Sequence, residues 1–131
     1  MAKRILMVDD DRDLVEVTMA FLKAKGYEVD CAHDMEAGFA RLAEKKPDLI
    51  ILDMMMGGQG QGFLFSRKLR KMPEVGNIPI LMVTGVTQQT GFGFIGDPKH
   101  QTFLPVDEFV QKPVGQDALA AKVASMLAKV A

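Results

Sequence analysis

The stretch Asp48-Leu49-Ile50-Ile51-Leu52-Asp53 constrains the chain more than any other: four aliphatic residues in succession, closed by a carboxylate, near the middle of 131 residues. A continuous apolar run of this length between turn signals predicts a strand buried on both faces of a parallel sheet. Asp53 then emerges where the strand leaves the core. In open α/β sheets ligands bind outside the carboxyl ends of the strands, so an acid placed there is a candidate for chemistry.

The same design recurs along the chain. Ile5-Leu6-Met7-Val8 is a second aliphatic run, closed by Asp9, Asp10 and Asp11. From Asp13 to Lys25 the positions Leu14, Thr18, Phe21 and Leu22 share a helical face, and Gly26 supplies the stop. Tyr27 to Ala32 reads as a short strand. Asp34 can cap a helix whose Met35, Phe39, Leu42 and Ala43 share a face and which ends near Lys46-Pro47. The run from Met54 to Gly62 is glycine-rich and predicts a flexible loop, and a helix from about Phe63 to Met72 follows. Ile78 to Val83 is the fourth strand, closed by Thr84; Glu108 to Gln111 is the fifth, closed by Lys112-Pro113. The last helix carries Leu119, Val123, Met126, Leu127 and Val130 as one stripe.

Strands alternating with helices imply a doubly wound α/β domain, because a crossover between parallel neighbours takes about a dozen residues or more. Size and composition agree with a single domain over residues 1–131. The hydrophobic share of 48% is enough for a packed core and excludes a disordered chain. Net charge is −1 with the basic residues scattered, so no nucleic-acid footprint is present. No apolar run reaches the ~18 residues of a membrane span, and the start of the chain is too short in apolar residues for a signal peptide. The expected location is cytoplasmic. Cys31 has no second cysteine to pair with and is expected to be a small buried hydrophobe. His33 and His100 read as surface residues without partners.

If the sheet is parallel, Asp9, Asp10, Asp53, Thr84 and Lys112 gather at one edge. Three carboxylates against one ammonium leave a surplus of negative charge, and like charges ~4 Å apart repel by roughly 4 kcal/mol at an effective dielectric near 20. Such a cluster calls for a cation, and all-oxygen donors favour Mg²⁺ together with waters and a phosphoryl group. Asp53, alone on the central strand, is then the candidate nucleophile for an aspartyl phosphate. Lys112 and the Thr84 hydroxyl are placed to hold phosphoryl oxygens. Asp11 reads as a helix-start acid rather than a third ligand.

With Asp9-Asp10 after the first strand, Asp53 after the third, Thr84 after the fourth and Lys112-Pro113 after the fifth, the sequence resembles the receiver domain of two-component response regulators, the chemotaxis-Y type. The resemblance covers nearly the whole chain. It implies a flavodoxin-like five-stranded parallel sheet in the order 2-1-3-4-5, with helices on both faces. It also implies transfer of phosphate from a kinase phosphohistidine to Asp53, with Mg²⁺ held by Asp10, Asp53 and the Met55 carbonyl and by Asp9 through water. Phe109 matches the family's aromatic switch position, which follows Thr84, and the Lys112-Pro113 bond is cis in the family. The implied partners are a sensor histidine kinase or phosphotransfer protein and an unnamed downstream protein, with no direct nucleic acid and no membrane, and with room for a homodimer.

The chain departs from the family pattern at two places. Met56-Gly57 stands where Met-Pro is usual, with one extra residue before Phe63. Residues 85–105 are longer than usual and contain four glycines and two prolines, so the fourth helix is expected to be shortened, irregular or replaced by a loop. Gly91-Phe92-Gly93-Phe94-Ile95-Gly96 matches the dinucleotide fingerprint in form, yet it neither follows a strand directly nor opens a helix, so its aromatic residues are read as a fold-back segment or a partner patch. Two other functions fit parts of the sequence. One is a receiver-like scaffold that is never phosphorylated; the other is a haloacid-dehalogenase-like Mg²⁺ phosphohydrolase using the Asp9-x-Asp11 spacing.

Overall fold

A computed structural model describes residues 3–53, 61–84, 107–111 and 115–128. In chain order the elements are β1 (Arg4–Val8), α1 (Arg12–Ala24), β2 (Glu28–Ala32), α2 (Met35–Glu44), β3 (Leu49–Asp53), α3 (Gln61–Arg70), β4 (Ile80–Thr84), β5 (Glu108–Gln111) and α4 (Gln116–Ala128). The five strands form one sheet in the order β2-β1-β3-β4-β5, and every pairing is parallel. This is the flavodoxin-like doubly wound arrangement. The fourth helix expected within residues 85–105, and the Phe92, Phe94, Ile95 and Phe103 segment, lie outside the described residues.

The unbroken apolar runs are explained by two cores, one on each face of the sheet. Side chains alternate across a strand, so Leu6, Val8, Ile50, Leu52, Ile80 and Met82 point to one face and meet Leu42 of α2 and Phe65 and Leu69 of α3. Ile5, Met7, Leu49, Ile51, Leu81 and Val83 point to the other, against Val15 and Leu22 of α1 and Leu119, Val123 and Met126 of α4. A strand covered on both sides has no position left for a polar residue until it ends.

Local signals start and stop the helices. The Asp11 carboxylate accepts the Leu14 N–H at 3.1 Å and caps α1, as the Asp34 carboxylate accepts the Ala37 N–H at 2.7 Å and caps α2. Helix α1 closes on Gly26, whose φ of 100° lies in the left-handed region. There the Gly26 and Tyr27 N–H groups donate back to the Lys23 and Leu22 carbonyls, the paired bonds of a Schellman cap.

Several details differ from the sequence reading. Ala43 is exposed, because α2 turns its Gly38 and Leu42 inward instead. Val15 is buried in α1 with Thr18 and Leu22, while Leu14 and Phe21 are only half-buried at the margin of that face. Cys31 is half-buried, since β2 is an edge strand. Strand β4 starts at Ile80 rather than Ile78, α3 starts at Gln61, and Val130 lies outside the described residues.

Candidate functional site

Strand order alone locates a crevice. From β1 the chain passes outward to β2 and then returns to place β3 on the other side of β1. In a sheet of this order the binding crevice opens at the β1/β3 switch point, beyond the carboxyl ends of the strands. Val8 pairs with Leu52, so the next residues, Asp9 just past β1 and Asp53 at the end of β3, stand at that point.

Asp9, Asp10 and Asp53 each bring a carboxylate oxygen to within 4.8 Å of the others, a grouping that could hold a metal ion. Asp9 and Asp53 are buried, at 1% and 6% exposure, whereas Asp10 is exposed. Two buried charges ~5 Å apart repel by roughly 3 kcal/mol at an effective dielectric near 20. The donor set is all oxygen, two acids sheltered and one open to solvent, and that suits a hard divalent ion that keeps part of its water shell.

The acids are held in place from behind. The Asp11 N–H donates to Oδ1 of Asp9 at 2.9 Å, and the Asp9 N–H donates to the Ala32 carbonyl at 3.0 Å. Because the Asp11 side chain caps α1, it stands outside the acidic trio, which weakens the Asp9-x-Asp11 arrangement that a dehalogenase-like site requires. His33 corrects the sequence reading: rather than lacking a partner, its Nδ1 lies 3.0 Å from the Asp9 carbonyl oxygen. A residue separation of 24 hid this contact, and the only hint in the sequence was the position of His33 just past a strand next to β1.

Register carries the arrangement across the sheet. Asp53 pairs with Val83, so Thr84 sits one residue further along β4, and Thr84 in turn pairs with Gln111 of β5. Strand β3 thus ends one step beyond β1 and β4 one step beyond β3, while β5 ends level with β4, and in the sequence Lys112 follows Gln111. The side chains of Thr84 and Phe109, the whole of Met55 and His100, and the Lys112-Pro113 pair lie outside the described residues. The structure therefore brings together Asp9, Asp10 and Asp53 as side chains and sets Thr84 at a strand end as a backbone position, while Phe109 lies opposite Met82, two residues before Gln111 along β5.

A parallel sheet of this order with acids at its switch point defines a flavodoxin-like protein with an acidic site. The family follows from comparison: residues 5–124 match the response regulator receiver domain, and the chain belongs to that family. Response regulator PleD of Caulobacter vibrioides is 35% identical over 126 residues, 96% of this chain. The chain spans only 26% of that relative's length. Among solved structures, a CheY-like response regulator receiver domain protein from Methanospirillum hungatei matches with a TM-score of 0.81 at 26% identity, over 98% of this chain and 96% of that one. A two-component response regulator from Clostridium difficile matches with a TM-score of 0.79 at 25% identity, over 98% of both chains. The chain is thus a response regulator receiver domain, and among the described residues no helix is long and apolar enough to cross a membrane.

Proposed function

We propose that this receiver is a phosphoacceptor module of a two-component phosphorelay, a single domain that takes a phosphoryl group from a kinase or phosphotransfer phosphohistidine onto Asp53. The observation that carries the proposal is the meeting of the Asp9, Asp10 and Asp53 carboxylates at the β1/β3 switch point. In this reading a carboxylate oxygen of Asp53 forms the new O–P bond as the P–N bond to the donor imidazole breaks, and the leaving imidazole takes up a proton. Asp9 and Asp10, with Asp53 and the Met55 carbonyl, would hold Mg²⁺. The ion's contribution is to offset negative charge so that an anionic phosphoryl group can approach.

The chain's own groups do the rest. Asp53 is buried at the strand end, which limits the room its side chain has and so serves positioning, the larger part of catalysis in phosphoryl transfer. The Thr84 hydroxyl and the Lys112 ammonium take phosphoryl oxygens. Phosphorylation shifts the conformational equilibrium only by the difference in these contacts between the two states. Thr84 and Phe109, on the paired strands β4 and β5, transmit that difference to the surface that a downstream protein reads.

The test is incubation with acetyl phosphate and Mg²⁺ followed by intact-mass spectrometry. Wild type should gain one phosphoryl group, removable by hydroxylamine, and Asp53→Asn should gain none. Wild type that stays unmodified under conditions that label another receiver would leave the scaffold reading in its place.

A further inference from the structure

We propose that His33 is a positioning residue for the metal-binding acids: its Nδ1–H holds the Asp9 carbonyl and so fixes the turn on which Asp9 and Asp10 sit. A carbonyl oxygen can only accept, so at the 3.0 Å contact the ring nitrogen must carry the proton. Consecutive residues at the end of β2 therefore hold both polar groups of the Asp9 backbone, Ala32 through its carbonyl and His33 through its ring. The Asp9 carboxylate is fastened from the opposite side by the Asp11 N–H.

The consequence is mechanical. Strand pairing of β1 ends at Val8, which pairs with Ala32 and Leu52, so beyond the sheet the turn at Asp9 and Asp10 is held by individual contacts, and the His33 ring on the Asp9 oxygen is one of them. Mg²⁺ demands near-ideal octahedral geometry and tolerates misplaced donors poorly, so a looser turn costs affinity even with every ligand present. Groups that orient metal ligands from behind commonly change affinity by ~10–100-fold when removed. This inference rests on the Mg²⁺ reading given above, and the experiment separates the two.

Mg²⁺ binding is measured by calorimetry and by the ¹⁵N–¹H shifts of the Asp9 and Asp10 amides, with thermal unfolding in EDTA as the measure of fold. His33→Phe keeps the ring and removes the donor; His33→Asn keeps a donor nitrogen the same number of bonds from Cβ. His33→Phe should weaken Mg²⁺ by about tenfold with little change in the metal-free unfolding temperature, and His33→Asn should restore most of the affinity. If wild type binds, Asp53→Asn does not, and His33→Phe equals wild type, the inference is overturned and the Mg²⁺ reading stands. An Asn variant as weak as the Phe variant overturns it too, because the hydrogen bond is then not the cause. Failure of wild type to bind Mg²⁺ overturns both. Independently of any variant, ¹⁵N spectra of the neutral wild-type ring must show the Nδ1–H tautomer, and an Nε2–H ring ends the proposal.

Discussion

Arg70 and Asp107 are joined by a 2.6 Å ion pair that ties the end of α3 to the residue preceding β5. The same guanidinium donates to the Gly76 and Ile78 carbonyls at 2.9 and 2.7 Å, and the same Asp107 oxygen accepts the Ile80 N–H at 2.8 Å. One arginine and one carboxylate thus fasten the starts of β4 and β5 together, just before the register Leu81 to Glu108 begins. That register, counted upward, sets Gln111 opposite Thr84.

Arg70→Met should therefore destabilise the fold by about 2 kcal/mol, because it removes the donor from two part-buried carbonyls, while the half-exposed Asp107 carboxylate keeps the Ile80 N–H. Arg70→Lys should recover little, since an ammonium cannot span three acceptors with a planar fork. Urea unfolding measures both. An unchanged midpoint for Arg70→Met would show that the clamp contributes nothing.

A Cβ on Gly38 would lie 2.7 Å from Cε2 of Phe65, a fully buried ring stacked on Phe39 with centroids 4.5 Å apart. Helix propensity favours alanine over glycine by up to about 1 kcal/mol, but overpacking costs about 1–3 kcal/mol. Gly38→Ala should be a net loss, visible as a lower unfolding temperature. Trimming the ring in a Gly38→Ala, Phe65→Leu pair should cost less than the sum of the single changes.

Asp10 and Asp11 are neighbours with opposite duties, and substitution should separate them. Asp11→Ala should cost about 1 kcal/mol through the lost helix cap and leave Mg²⁺ affinity nearly unchanged, whereas Asp11→Asn should cost little, asparagine being an equally good cap. Asp10→Asn should weaken Mg²⁺ and raise the stability of the metal-free protein, because it removes one charge from a crowded cluster. Parallel titrations and melts in EDTA check each outcome.

Mg²⁺ should itself stabilise the fold, since it binds the assembled acids and not the unfolded chain. At a concentration one hundred times its Kd the gain is about 2.7 kcal/mol. The gain should vanish in EDTA and in Asp53→Asn. A melting temperature indifferent to Mg²⁺ in wild type would count against the ion.

The parallel fold was legible because it is written in runs. Leu49 to Leu52 and Ile5 to Val8 admit no exposed face, and the acids after them mark where burial ends. The caps Asp11 and Asp34 and the stop at Gly26 were equally readable, since their partners lie within a few residues. Helix faces were less so: the pattern in α2 fits Ala43 and Gly38 about equally, and only the close approach of Phe65 explains why a residue without a side chain faces inward.

Periodicity and end signals are properties of neighbours along the chain, so the amino-acid order was sufficient for the elements, their parallel pairing and the acids at the strand ends. Partnerships between distant residues are not encoded that way. His33 meeting the Asp9 carbonyl and Arg70 meeting Asp107 depend on which strands lie side by side and in what register. Those choices come from packing two cores against one twisted sheet, and packing acts on the folded chain as a whole.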